Sequence, residues 1–252
     1  MSPSGRAFAQ TSFAFIDVET TGFDPKTDRI VELACVVTRG GRRVASYDTL
    51  VHPQRPIPAT ASAVHHLTDE HVRNAPPLAD VLPEVRALVA ECVVVAHNAA
   101  FDLGFLPGLR ERPALCSMRF ARRVLPEAPN YKNQVLRYHL GIRDDALASV
   151  AAHRALGDAI VTSLVFAACV ERYLRDGGAD DVGAAIARIA APLVVPALRF
   201  GRHRGVPISG VPADYLRWVL GDCRSANDDE RHTARCELER RAGVARDAAP
   251  AA

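Results

Sequence analysis

Lysine is nearly missing from this chain: Lys26 and Lys132 are the only two, and arginine supplies the rest of the 31 basic side chains. Against 29 acidic residues the formal net charge is only +2, too small to announce a polyanionic partner through the field of the whole molecule. Long apolar runs are missing too. The longest, Ala159 to Val170, is flanked by Asp158 and Glu171 and falls short of the roughly 20 residues that span a bilayer. The N-terminus has Arg6 and then Gln10, Thr11 and Ser12 in place of the apolar core of a signal peptide. No membrane contact and a cytoplasmic location are therefore expected. The cysteines, Cys35, Cys92, Cys116, Cys169, Cys223 and Cys236, form no CxxC pair and no Cys/His cluster with zinc spacing. Cys35, Cys92 and Cys169 lie in apolar runs and are expected as buried free thiols. What is present is the composition of a folded protein, 48% apolar and 24% charged, in 252 residues. That length holds one domain of ordinary size and a smaller appendage.

The periodicity opens with strands. Thr11 to Val18 is aromatic and β-branched and stops at Thr20-Thr21-Gly22. Ile30 to Thr38 is a second strand, and Arg43 to Val51 a third after Gly40-Gly41. Leu78 to Ala90 has helical spacing, with Asp80 as the expected N-cap and Pro83 in the first turn. Cys92 to Ala96 is short and wholly apolar, as a strand buried on both faces would be. Helices are expected over Phe101 to Leu109, Arg119 to Val124, Gln134 to Leu140 and, longest, Ser149 to Tyr173. This order predicts an α/β fold, a mixed sheet flanked by helices. Composition breaks at Asp176-Gly177-Gly178. The expected organisation is a main domain over 8–175, a linker over 176–196 holding one short helix, and a small Arg-rich C-terminal module over 197–245.

Three segments carry chemistry. Asp17 and Glu19 lie two apart at the end of the first strand, so both point to one face. Like charges so close repel by several kcal/mol, which a fold has little reason to accept unless cations bind there. In the second segment an apolar strand ends at His97, Asn98 is suited to cap a helix, and Asp102 falls in its first turn. The third is His153-Arg154-Ala155-Leu156-Gly157-Asp158. Its His and Asp do not share a helical face, so a His153 serving the same site belongs at the helix start or in the loop entering it. Singly, each segment has a plain structural explanation: an exposed strand end, a carboxylate on a helix dipole, a solvated surface pair.

Together and in chain order, Asp-Val-Glu-Thr-Thr-Gly, His-Asn-Ala-Ala-Phe-Asp and His-Arg-Ala-Leu-Gly-Asp resemble the three motifs of the DEDD exonucleases, histidine subtype. The likeness runs from about Phe13 to Tyr173 and points towards DNA polymerase III epsilon-like and exonuclease X-like proteins. It implies a ribonuclease H-like fold and a 3′→5′ exonuclease with two divalent cations, Mg²⁺ or Mn²⁺. Asp17 would bridge the ions, Glu19 and Asp158 would bind the first, Asp102 would act at the second, and His153 would be the general base. Two such metals stabilise the attacking and leaving oxygens of a phosphodiester displacement. Thr20, Thr21, His65, Asn98 and Phe101 match positions that line the substrate pocket, with Phe101 either stacking on a base or anchoring the helix core.

The C-terminal module has Arg199, Arg202 and Arg204 in a turn, followed by a helix from Pro212 with Tyr215 and Trp218. It resembles a small module of some exonuclease X-like proteins. The arginines are candidate DNA contacts, while the aromatics serve equally well as the module's own core. The expected partner is DNA, at a 3′ end or single strand, in repair or end processing. Polymerase association is not favoured, because a proofreading subunit of replication would carry a polymerase-binding tail where this sequence has the Arg-rich module. The same chemistry on RNA is the alternative substrate reading, and a catalytically silent DNA-end-binding module is the alternative of another class.

Overall fold

The computed structural model describes residues 5–147 and 154–247, with side chains described as far as Gly243. The chain separates into two compact units, 1–190 and 191–252.

The first unit is built on β1 (Ser12–Thr20), β2 (Ile30–Arg39) and β3 (Arg42–Leu50), an antiparallel meander. Arg39 pairs with Arg42 across Gly40 and Gly41, which have φ of +54° and +75°. This is the two-residue turn that matches the twist of a hairpin, and it needs residues free of a Cβ. β2 is buried almost throughout, whereas β3 is an edge strand with Arg42, Arg43 and Ser46 exposed, and such polar residues blunt an edge against further pairing.

Two short helices, α1 (Ala59–His65) and α2 (Asp69–Val72), precede α3 (Leu78–Leu88). The N-cap of α3 is Pro77 rather than Asp80; Asp80 lies in the first turn, where its charge suits the helix dipole. Pro83 then falls inside the helix and interrupts the ladder at the Ala79 carbonyl. β4 (Val93–Ala96) joins β1 in parallel, and α4 (Ala99–Gly104) follows it. The helix expected to reach Leu109 ends at Gly104, short of Pro107, whose ring disfavours helical geometry in the residue before it. A strand not expected, β5 (Ala114–Cys116), pairs in parallel with β4 and completes the order β3-β2-β1-β4-β5. Three residues are too few to show a period. α5 (Ser117–Val124), α6 (Asn133–His139), α7 (Ala155–Arg175) and α8 (Val182–Ala190) complete the unit. Residues 149–153, expected in the long helix, include positions outside the described residues. The first part of the expected linker is no free tether: Val182, Ala185 and Ile189 of α8 are buried in the core of this unit.

Strand alternation divides β1 between two cores. Ala14, Ile16 and Val18 pack with α3 and α4, and Phe13 and Phe15 pack with α7. The Phe166 ring lies 5.0 Å from Phe13 and 5.5 Å from Phe15. All six cysteines are free; of the three expected to be buried, Cys35 and Cys169 are, with their thiols pushed up to about 12 by that burial, but Cys92 is only half-buried. No helix among the described residues is long and apolar enough to cross a membrane.

The second unit holds α9 (Ala213–Leu220) and α10 (Asp228–Asp247) around a core of Leu198, Val211, Leu216, Val219 and Ala234. Pro212 is the N-cap of α9 rather than part of its first turn. α10 has a reciprocal cap: Asn227 Oδ1 accepts from the Glu230 N–H at 2.9 Å, and a Glu230 carboxylate oxygen accepts from the Asn227 N–H at 3.0 Å.

Candidate active site

The parity that sends Phe13 and Phe15 towards α7 sends Asp17 and Glu19 the same way. From Asp158 to Phe166 α7 rises about 12 Å, and from Phe15 to Glu19 β1 advances about 13 Å. The aromatic contact therefore brings Asp158, in the first turn of α7, level with the acidic end of β1. Oxygens of Asp17, Glu19 and Asp158 lie within 4.8 Å of one another. Asp102 arrives from the other side. β4 ends at Ala96, and the Val18 N–H of β1 donates instead to Asp102 Oδ1 at 3.2 Å. Asp102 is buried at the carboxyl ends of two parallel strands, the edge where open α/β sheets bind ligands.

Crowding shows in the electrostatics. Burial, then the Asp102, Asp158, Glu19 and Glu32 charges, raise the Asp17 carboxyl well above its ordinary range. Glu19 is pushed up to about 8 by burial and then Asp158. Asp102 is pushed up to about 7, mainly by burial, with the Val18 N–H opposing. Carboxyls so placed give up their protons readily only when a cation arrives. Three oxygen donors without thiol or imidazole suit a hard cation such as Mg²⁺ or Mn²⁺.

A cavity of about 200 Å³ adjoins the cluster, lined by Glu19, Thr20, Thr21, His65 and Phe101 among others. His65 is buried; its Nδ1 accepts from the Leu67 N–H at 3.0 Å, which leaves the proton of the neutral ring on Nε2. That Nε2 is buried facing the backbone of Thr20; burial lowers the pKa of the ring, and the Thr20 contact opposes the shift. The Thr20 hydroxyl donates to the Gly22 carbonyl and the Thr21 hydroxyl to Asp28, so both are engaged within the turn. A Cβ on Gly22 would lie 2.5 Å from Asp28 Oδ2, so a larger residue there would displace the Asp28 carboxylate from the turn. Phe101 stacks edgewise on Phe105 at 5.2 Å and meets the 88% exposed Phe23 at 6.2 Å. Asn98 occupies the N-cap of α4 with φ +75° and makes no side-chain cap bond; it does not line the cavity. His153 lies outside the described residues.

The exonuclease family model (RNase_T) matches residues 14–166. The chain belongs to this family. It is 31% identical to a solved structure of exonuclease X in complex with 5′-overhanging duplex DNA, with a TM-score of 0.56, covering 69% of this chain and 98% of that one. It is 38% identical over 165 residues to a DNA polymerase III subunit epsilon-like protein of Rhodobacter capsulatus, covering 62% of this chain and 23% of that protein. Over 178 residues it is 35% identical to DNA polymerase III PolC-type of Thermotoga maritima, covering 68% and 13%. The chain thus spans under a quarter of the length of either curated relative. Its mixed five-stranded sheet flanked by helices is ribonuclease H-like, as in the DEDD exonucleases.

Three residues that support the candidate site, Glu32, Gln134 and Asn133, are not apparent from sequence. Glu32, buried in β2 directly opposite Glu19, receives Arg154 at 2.9 Å (Nε) and 2.6 Å (Nη2), and also the Ala155 N–H at 3.0 Å. It thereby fixes the start of α7 beside the acidic cluster. Gln134 Nε2 donates to Asp158 Oδ1 at 2.7 Å, and Asn133 Nδ2 to the Asp158 carbonyl at 3.0 Å. His97, at the end of β4, ties that strand to two other segments. Its Nε2 donates to the Tyr131 carbonyl and its Nδ1 receives the Ser117 hydroxyl, both at 2.8 Å. An acid inside an otherwise apolar strand, Ile30-Val31-Glu32-Leu33, was the available signal for Glu32.

Proposed function

We propose that this exonuclease removes nucleotides one at a time from the 3′ ends of DNA, using divalent cations held by Asp17, Glu19, Asp102 and Asp158. What carries this reading is the meeting of Asp17, Glu19 and Asp158 within 4.8 Å beside a cavity that shares Glu19 with them. Mg²⁺ or Mn²⁺ bound there would supply the charge that stabilises the attacking and leaving oxygens. His153 takes the proton of the attacking water, a role suited to an imidazole. The water oxygen bonds to phosphorus and the bond from phosphorus to O3′ breaks. A nucleoside 5′-monophosphate leaves, and the shortened strand keeps a 3′-hydroxyl.

The cavity receives the terminal nucleotide. His65 and the backbone at Thr20 and Thr21 lie along it, and Phe101 offers a face to the base. Asn98 stands outside this lining, at the exposed start of α4. DNA is preferred to RNA because the exonuclease X relative, matched over nearly its whole length, is bound to DNA.

The test is digestion of 5′-labelled single-stranded DNA, duplex DNA and RNA with Mg²⁺, with EDTA, and with the Asp17→Asn protein. A ladder shortening from the 3′ end of DNA, lost with EDTA and in the variant, is the expected result. Shortening of RNA alone would change the substrate class. Folded protein that holds DNA ends without cutting any strand would make it a binding module.

A further inference from the structure

The second unit distributes its charges unevenly. Its buried acids are engaged internally: Asp229 accepts from the Leu193 N–H at 2.9 Å, Glu230 holds Arg199 at 3.0 Å, and Glu237 holds Arg240 and Arg241 at 2.7 Å each. The turn between Gly201 (φ +69°) and Gly205 (φ +77°) presents Arg202 and Arg204, both exposed and neither ion-paired among the described residues. The Arg202 guanidinium lies 5.2 Å from the centre of the Tyr215 ring, which pins it without consuming its hydrogen-bond donors. Tyr215 is itself fixed. Gly201 approaches it so closely that a Cβ there would lie 2.0 Å from the phenol oxygen, His203 edges its ring at 4.6 Å, and Trp218 meets it at 5.0 Å. Trp218 remains 39% exposed although it is the largest side chain of this stack. Arg202, held over the ring of one buried tyrosine, and the exposed Arg204 of the same turn thus accompany a partly open indole that meets that tyrosine.

We propose that Arg202, Arg204 and Trp218 form a second contact for a nucleic-acid strand, cations against phosphates and indole against a base. Arg199 is left out because Glu230 neutralises it. The choice of polymer rests on the proposed function of the first unit, while the contact itself is tested separately. Guanidinium donors recognise any anion, but an adjoining open aromatic face adds stacking, which an acidic peptide cannot use.

Trp218 is the only tryptophan, so its emission reports on this surface alone. The full chain carrying Asp17→Asn, which spares the strand, is titrated with oligothymidylate at several salt concentrations. Expected are quenching of Trp218 on binding and, in Arg202→Ala/Arg204→Ala, a salt slope lower by about 1.4, two phosphate contacts at about 0.7 each. Trp218→Ala weakens binding about tenfold with the slope unchanged, and Arg235→Ala, an exposed arginine of α10, changes neither. An unquenched tryptophan, an unchanged slope in the double variant, or equal quenching by oligoglutamate would overturn the proposal. Dinucleotide hydrolysis by chains with native Asp17 is expected to be the same with and without the double substitution. Its absence in both would count against the first unit's function and leave the titration to judge the surface.

Discussion

Both units bury carboxylates, and they treat them in opposite ways. In the second unit each buried acid has donors matched to it: Glu237, between Arg240 and Arg241, is held down to about 2 by those hydrogen bonds. In the first unit Asp17, Glu19 and Asp158 crowd together with the Asp102 charge acting on them, and Arg154 is committed to Glu32. A satisfied acid holds structure together. A crowded one is tolerated for what it will bind, and the direction of its pKa tells the two apart.

The largest test of this contrast is Asp17→Asn. It should lower DNA hydrolysis by about three orders of magnitude, roughly 4 kcal/mol of lost transition-state stabilisation, while leaving the melting temperature of the metal-free protein unchanged or higher. A marked fall in melting temperature would mean that Asp17 is structural after all. Next is Glu32→Gln, which removes the negative charge facing Arg154 and weakens the clamp on α7. We expect kcat to fall about tenfold or more with KM little changed, and stability to fall by about 2–3 kcal/mol, discounted for the partly exposed arginine, by denaturant titration. Equal activity in this variant would place Glu32 outside the working parts of the site.

Glu230→Ala should do the reverse of Asp17→Asn. It strips the α10 cap and the Arg199 contact, costing the second unit about 2 kcal/mol in calorimetry while leaving dinucleotide hydrolysis intact. The smallest effect is the response to pH. Glu19 at about 8 and Asp102 at about 7 bind protons more tightly in the folded chain than in the unfolded one. Their contribution to stability is full below about pH 4 and disappears as pH rises through about 7–8. The metal-free protein should therefore melt lower at pH 8.5 than at pH 6, by a few degrees, and added Mg²⁺ should raise the melting temperature more at pH 8.5. A Mg²⁺ effect independent of pH would mean these two carboxyls do not bind it.

Much of this was legible in sequence because it rests on short-range periodicity. The phase of two put Asp17 and Glu19 on one face, and the end of an apolar run located Asp102. What escaped was held by distant partners. Glu32 gives no sign of its role until Arg154, far along the chain, folds back on it, and Gln134 meets Asp158 only once α6 packs on α7. β5 was too short to carry a pattern, and Pro83 was placed in the wrong turn because Asp80 resembled a better cap than Pro77. α10 could have been found, since Asn227 followed three residues later by Glu230 is the signature of the cap it forms.

The shared face of Phe13, Phe15, Asp17 and Glu19 limits how this chain can vary by descent. Substitutions along β1 can be absorbed one at a time, but inserting or deleting a single residue between Phe15 and Asp17 would turn both carboxylates towards α3 while the aromatic anchor stayed in place. Such a chain would still have much of its core and would have lost its chemistry. Length changes in this lineage should accordingly collect in exposed turns away from the site and leave β1 at constant length.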